Sequence, residues 1–168
     1  VFEGDWYSLL EGKGGFAIHI LPARHFSGRS LTRNKTLWAG FALVTPEHRI
    51  FFSGDSGYGK HFAEIGARFG GFDLAMLDCG QYDENWRYVH MMPEDTAQAA
   101  EDLRARALLP GHVGKFAIAY HTWDDPFKRI VAASRGKQYR LLLPLLGEPV
   151  ALPIASDGEI LRWWEAGR

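Results

Sequence analysis

Two histidines and an aspartate stand at equivalent places along the chain. His25 follows Ile20-Leu21-Pro22-Ala23-Arg24, Asp55 follows Ile50-Phe51-Phe52-Ser53-Gly54, and His112 follows Leu108-Leu109-Pro110-Gly111. Each lies at the C-terminal end of an apolar stretch of strand composition, where small or turn residues begin. In α/β sheets that edge collects ligands and catalytic groups, because rigid strands end there and variable loops begin. Neutral imidazole and carboxylate both donate well to zinc or another divalent ion. His25, Asp55 and His112 are therefore candidate metal ligands. The same spacing also fits a plainer arrangement, with hydrogen-bonded loop histidines and Asp55 capping a turn at Ser56-Gly57.

The other histidines carry weaker signals. His19 falls inside an apolar stretch as a face residue, while His48 in a turn and His61 at a helix start are expected in solvent. His90 precedes Met91-Met92-Pro93 at a helix entrance, where it caps, packs or supports a metal ligand from behind. His121 lies in a loop nine positions beyond His112, near enough to share its pocket. Two other kinds of site are excluded. The Gly54-Asp55-Ser56-Gly57-Tyr58 turn lacks the Gly-x-x-x-x-Gly-Lys phosphate loop, and Gly12-Lys13-Gly14-Gly15 has no strand before it. Gly-x-Ser-x-Gly, the nucleophile elbow of α/β-hydrolases, does not occur.

The elements that must position these residues follow from periodicity. Residues 16–23 form a β-rich apolar run after the Gly12 to Gly15 turn, and 40–45 and 49–53 flank Pro46-Glu47-His48 as a hairpin. Residues 61–69 place Phe62, Ile65, Gly66 and Phe69 at helical spacing and stop at Gly70-Gly71, which feeds a buried strand over 72–78. Pro93-Glu94-Asp95 opens a second helix with Ala97, Ala100 and Leu103 inward, since proline and acids suit a first turn. A short strand spans 107–110. Asp125-Pro126 opens a third helix carrying Phe127, Ile130 and Val131, with Gly136 beyond its end. Residues 139–144 and 150–153 read as short extended pieces, and Trp163-Trp164 as part of a charged tail. The class is mixed α/β, with strands first and βαβ alternation afterwards.

Composition bounds the function. With 168 residues, 46% hydrophobic and 23% charged, the chain can bury the core of one domain and is not disordered, collagenous or coiled-coil. Net charge is −1 and no dense Lys/Arg run occurs, so the footprint for nucleic-acid binding is missing. The single Cys79 excludes an internal disulfide and a cysteine zinc knuckle; it points to a reducing compartment, taken as the cytoplasm. No apolar stretch reaches the roughly 18 residues of a membrane span, and Val1-Phe2-Glu3-Gly4-Asp5 does not resemble a signal peptide. Position 1 is not Met, which leads one to expect a beginning elsewhere.

Taken together, several motifs resemble the metallo-β-lactamase superfamily. They are Pro22-Ala23-Arg24-His25, Leu37-Trp38-Ala39-Gly40, Phe52-Ser53-Gly54-Asp55-Ser56-Gly57-Tyr58, Phe62-x-Glu64-Ile65-Gly66-x-Arg68-Phe69-Gly70, Phe72-Asp73-Leu74-Ala75, His90-x-x-Pro93-Glu94 and Pro110-Gly111-His112-x-Gly114-x-Phe116. Their order over residues 5–150 is similar to the branch containing N-acyl-phosphatidylethanolamine phospholipase D; ascorbate 6-phosphate lactonases are more distant. The resemblance implies a four-layer αββα fold with a two-zinc site at the sheet edges. His25 then matches the histidine completing the first zinc's ligands, Asp55 the carboxylate bridging both metals, and His112 the last histidine on the second. His121 matches a pocket histidine of catalytic and substrate-binding role, and Gln81, Tyr82 and Trp86 fall in a loop that lines the pocket or simply packs.

One departure is large. The family's first metal motif, His-x-His-x-Asp-His, occurs nowhere, and residues 1–24 hold only His19. The expectation is that residues 1–168 are the C-terminal half of a single domain whose N-terminal half, with four more ligands, is absent from this chain. Alone it should be inactive. The resemblance implies a hydrolase acting on a phosphodiester, lipid-like or related ester, or a lactone, through a hydroxide bridging two divalent ions; zinc comes first, and manganese or iron suits the same donors. Two rivals remain, a metal-free binding or structural module and one half of a split enzyme. An uncovered sheet face calls for a partner surface, either the missing half or a second copy of the chain.

Overall fold

The computed structural model describes residues 7–11 as backbone, and 15–28, 31–116, 118–154 and 160–166 with their side chains. The expected turn at Gly12-Lys13-Gly14 and the first five residues lie outside them.

Seven strands form one sheet in chain order: β1 (Tyr7–Glu11), β2 (Ala17–Leu21), β3 (Gly40–Val44), β4 (Arg49–Phe52), β5 (Leu74–Asp78), β6 (Ala107–Gly111) and β7 (Arg140–Leu141). β1 to β4 pair antiparallel and β4 to β7 parallel. The change of pairing reflects the connections. A tight turn over residues 45–48 links β3 to β4 and a long segment over 22–39 joins β2 to β3, whereas α1 (His61–Phe69), α2 (Pro93–Asp102) and α3 (Asp125–Ala133) cross over between the parallel strands. Successive right-handed crossovers stepping one way across a sheet put all three helices on one face, and α2 packs against both α1 and α3.

Each helix is local chemistry meeting that face. α1 buries Phe62, Ile65 and Gly66 and ends on Gly70 at φ 71°, a left-handed position that glycine adopts without strain. α2 starts on Pro93 with Glu94 and Asp95 in its first turn and turns Ala97, Ala100 and Leu103 inward, all buried. α3 buries Phe127 and Ile130. Strand alternation then separates two sheet faces. Ala42, Phe51, Ala75 and Leu108 are register neighbours on the helix side and belong to one core with Phe62, Phe72, Met91, Leu103 and Ile130. One residue along, Phe41, Phe52, Met76 and Leu109 face the other way, and Phe41 and Phe52 keep 39% and 47% of their surface exposed. Among the described residues the architecture is thus one sheet and one helical layer.

Some expectations change. β1 is not foreseen by periodicity, because its register shifts between Ser8 and Leu10 and breaks the two-residue alternation. Of residues 139–144 only Arg140–Leu141 pairs as a strand, and 150–153 bend without a strand partner; Pro149 and Pro153 supply no N–H for a ladder. The Trp163-Trp164 stretch is no solvated tail: Trp164 is buried and stacks on Phe127 at 5.1 Å, and the Trp163 indole donates to the Leu143 carbonyl at 3.2 Å. His48 keeps to its turn, 4.0 Å from Asp73, and His19 sets its ring edge against Phe69 at 5.1 Å.

His61, expected in solvent, is half-buried instead. Its ring packs on Phe62 at 4.2 Å and its Nε2 is buried with no hydrogen-bond partner among the described residues. Burial first, and the Arg24 guanidinium second, push its pKa from 6.5 down to about 4. Between those values the unfolded chain takes up a proton that the folded chain refuses, so stability is lost as pH falls through the window. Urea midpoints measured from pH 7 to pH 4 should fall with pH, and His61→Phe should flatten that decline; a variant with an unchanged slope would contradict the assignment.

Candidate metal centre

Two antiparallel pairings make β2 run in the same direction as β4, and the parallel pairings carry that direction on to β5 and β6. The C-terminal ends of all four strands therefore share one sheet edge. His25 follows β2, Asp55 follows β4, Asp78 ends β5 and His112 follows β6.

The three expected ligands converge there. His112 Nδ1 is 3.6 Å from Asp55 Oδ1. Donor atoms of His25, Asp55 and His90 lie within 4.8 Å of one another. The His90 ring stands 5.2 Å from the His25 ring and 5.2 Å from that of His112. His25 Nδ1–H donates to the Phe26 carbonyl at 2.7 Å, which leaves its Nε2 lone pair free to bind a cation. The Asp55 side chain is 49% exposed at the mouth of the group. Imidazoles with a free nitrogen around a carboxylate suit a divalent ion, so the donor chemistry fits the metal that the resemblance implies.

Asp78 is the participant that the sequence reading misses. It is the last residue of β5, the same placement that singles out Asp55, but an acid that closes an apolar run reads as a strand end. A second group of candidate donors joins it to His90 and His112. Its Oδ2 accepts from His90 Nδ1 at 2.8 Å and from the Ser56 N–H at 3.3 Å; its Oδ1 accepts from the Gly80 N–H at 3.3 Å and faces His112 Nδ1 at 3.4 Å. The hydrogen bond to Asp78 raises the His112 pKa, with burial opposing it and the charges of Asp78 and Asp55 assisting.

The remaining expected residues brace the loop beyond His112. Gln81 is buried; its amide donates to the Phe116 carbonyl at 2.5 Å and accepts from the N–H groups of Ile118 at 2.6 Å and Ala119 at 3.2 Å. His121 Nε2 accepts from the Gln81 N–H at 3.1 Å while Nδ1 faces the Thr122 carbonyl at 2.9 Å, so both ring nitrogens are engaged. The same ring stacks on Tyr82 at 4.2 Å. Tyr82 is buried, with its hydroxyl on Asp125. The Trp86 indole donates to the Gln81 carbonyl at 2.7 Å. Gln81, Tyr82 and His121, expected to meet substrate, and Trp86, expected to line the pocket or to pack, are engaged with one another and with the chain around them in this arrangement. Gln81 and His112 hold φ of 57° and 61°, a left-handed conformation uncommon outside glycine and found where neighbouring structure dictates the backbone.

A family model described as the β-lactamase superfamily domain matches residues 2–113, the span that holds His25, Asp55, Asp78, His90 and His112. The chain is 65% identical over 98 residues to outer membrane protein RomA of Klebsiella pneumoniae, covering 58% of this chain and 74% of that one. It is 45% identical over 153 residues to an uncharacterised protein of Mycobacterium tuberculosis, covering 89% and 41% of the two chains. It is 36% identical over 159 residues to the mitochondrial N-acyl-phosphatidylethanolamine-hydrolyzing phospholipase D of Saccharomyces cerevisiae, covering 88% and 34%. The chain thus spans well under half the length of the last two relatives. Among solved structures, the metallo hydrolase Igni18 of Ignicoccus hospitalis is similar with a TM-score of 0.60 at 18% identity, over 86% of this chain and 56% of that one. Among the described residues no helix is long and apolar enough to cross a membrane.

The loops bearing Asp78 and His112 meet at Gly80, where a Cβ would stand 2.0 Å from the His112 carbonyl oxygen. Gly80→Ala should lower stability by about 1–3 kcal/mol or more, as overpacking does, and weaken divalent-ion uptake with it. Calorimetry alongside a metal titration checks both effects.

Proposed function

Since the chain belongs to the β-lactamase superfamily domain family, we propose that it forms the C-terminal half of a metal-dependent hydrolase of the metallo-β-lactamase fold. The observation that carries this reading is the convergence of His25, Asp55 and His112 at one sheet edge. In this role His25 and His112 each hold one divalent ion and Asp55 holds the pair together. The ions, zinc first and manganese or iron by the same donors, supply Lewis-acid activation of water and stabilise charge developing on the substrate. Three ligands from this chain are too few for a tight pair, so the remaining ones come from a preceding half carrying His-x-His-x-Asp-His. The lengths of the mycobacterial and yeast relatives support that division, as does the sheet face left open at Phe41 and Phe52.

The substrate in this reading is a phosphodiester or related ester with a lipid-like part; the name of the yeast relative supports it. Gln81, Tyr82, Trp86 and His121 contribute by shaping the loop after His112. The cytoplasmic placement rests on Cys79, single, buried and with its thiol pKa pushed up by burial, and cell fractionation tests it against the name of the Klebsiella relative.

The central experiment is Asp55→Ala in the full-length natural protein, with metal content measured by mass spectrometry and turnover followed on phosphodiester and lactone panels. Both metal stoichiometry and turnover should collapse, turnover by more than the roughly 10–100-fold typical of losing a supporting contact. Two retained metals with turnover intact would sink the assignment.

A further inference from the structure

We infer that Asp78 is the positioning carboxylate of this centre: it orients His90 and His112 through their Nδ1–H groups and, through Ser56, fixes the loops that carry Asp55 and His25. The inference builds on the metal-centre reading and adds a residue to which neither the sequence pattern nor the family match gives a role.

The alternative is that Asp78 is itself a ligand, as its grouping with His90 and His112 allows. Its surroundings argue otherwise. An ionised carboxylate offers about four lone-pair sites, and Asp78 faces four donors: the N–H groups of Ser56 and Gly80 and the rings of His90 and His112. Its side chain has 0% exposure. No acceptor direction is left for a cation. What it can do is accept Nδ1–H from two imidazoles at once, which leaves the Nε2 lone pair of each ring to point away from it.

Its reach extends to the other two candidate ligands. The Ser56 N–H that Asp78 accepts is the residue after Asp55, and Ser56 Oγ in turn accepts the Arg24 N–H at 2.9 Å, the residue before His25. Asp78 is itself held from both sides. Its N–H donates to Ser53 Oγ at 2.9 Å, and its carbonyl accepts Thr96 Oγ1–H at 2.7 Å; both partners are buried. One buried group therefore touches, or reaches through a single residue, every loop that supplies a candidate ligand.

The test is Asp78→Asn in the full-length natural protein. An amide keeps the size but offers one acceptor oxygen and two donor hydrogens, so one imidazole must turn to the Nε2–H tautomer and give up its outward lone pair. Long-range ¹H–¹⁵N spectra of the metal-free protein, at a pH where both rings are neutral, should show His90 and His112 as Nδ1–H in the unmutated protein and one of them converted in the variant. Zinc affinity by chelator competition should fall about 10–100-fold, with the number of ions bound at saturating zinc unchanged. A lost ion at saturation would make Asp78 a ligand and overturn the inference. So would an Nε2–H tautomer of either ring in the unmutated protein, a measurement that needs no variant to fold. If the unmutated protein binds no zinc, the proposed function fails, while the tautomers still decide whether Asp78 holds both rings.

Discussion

The parallel pairing of β5 with β6 sets the distances at the candidate centre. In that register Asp78 lies opposite Gly111, and the ladder runs one step further through the Cys79 N–H to the Gly111 carbonyl at 3.1 Å. His112 therefore begins its loop beside the Asp78 carboxylate. Beyond, at Gly80, the two backbones close to a distance that admits no side chain. Because successive side chains of a strand alternate, a slip of one residue would turn Asp78 into the helical core and Cys79 out towards the histidines. The apolar pattern of β5 prevents the slip: Ala75 and Leu77 pack with Phe51 and Leu108 in the buried cluster. Core packing on one face thus decides which functional groups stand at the sheet edge.

A buried carboxylate is an expensive thing to place there. Removing an ion from water costs several kcal/mol even after the surroundings relax, and the cost is recovered only where donors surround it. Ser56, Gly80, His90 and His112 do so for Asp78, each from a different turn or loop. The polar network and the loop conformations are therefore one construction. The left-handed backbone of Gln81 and His112 is held in the same way, since Gln81 spends its whole side chain on the backbone of the segment after His112.

The helices and most strands are legible in the sequence because one face of each element meets one core. His61–Phe69 is bounded by its own glycine, and Pro93 announces α2 by what proline can and cannot do. The meeting of His25, Asp55 and His112 at one sheet edge is legible by a single rule, position at a strand's C-terminal end. Asp78 obeys the same rule and is overlooked, since burial of an acid depends on donors from residues 56, 80, 90 and 112 that periodicity does not bring together. His61 fails for the same reason: a helix start is exposed by default, and only the folded chain, which buries its Nε2 and brings Arg24 near, closes it in. The bracing roles of Gln81, Tyr82 and His121 are likewise long-range, their partners lying about 35 to 43 positions away.

The open sheet face and the candidate metal centre lie on one side of the sheet for a single physical reason. By strand alternation Asp78 points to the same side as Met76, and Gly111, its register partner, to the same side as Leu109. The centre therefore grows out of the side of the sheet that carries Phe41 and Phe52, away from the helices. A second layer laid on those aromatics would recover of the order of 1 kcal/mol for each as its remaining surface leaves water, and the same layer would arrive beside His25, Asp55 and His112. In the proposed reading, further donors to a metal pair and a cover for exposed aromatic surface would be supplied by a single docking event. Metal binding and closure of the sheet would then be thermodynamically linked: whatever stabilises one would favour the other.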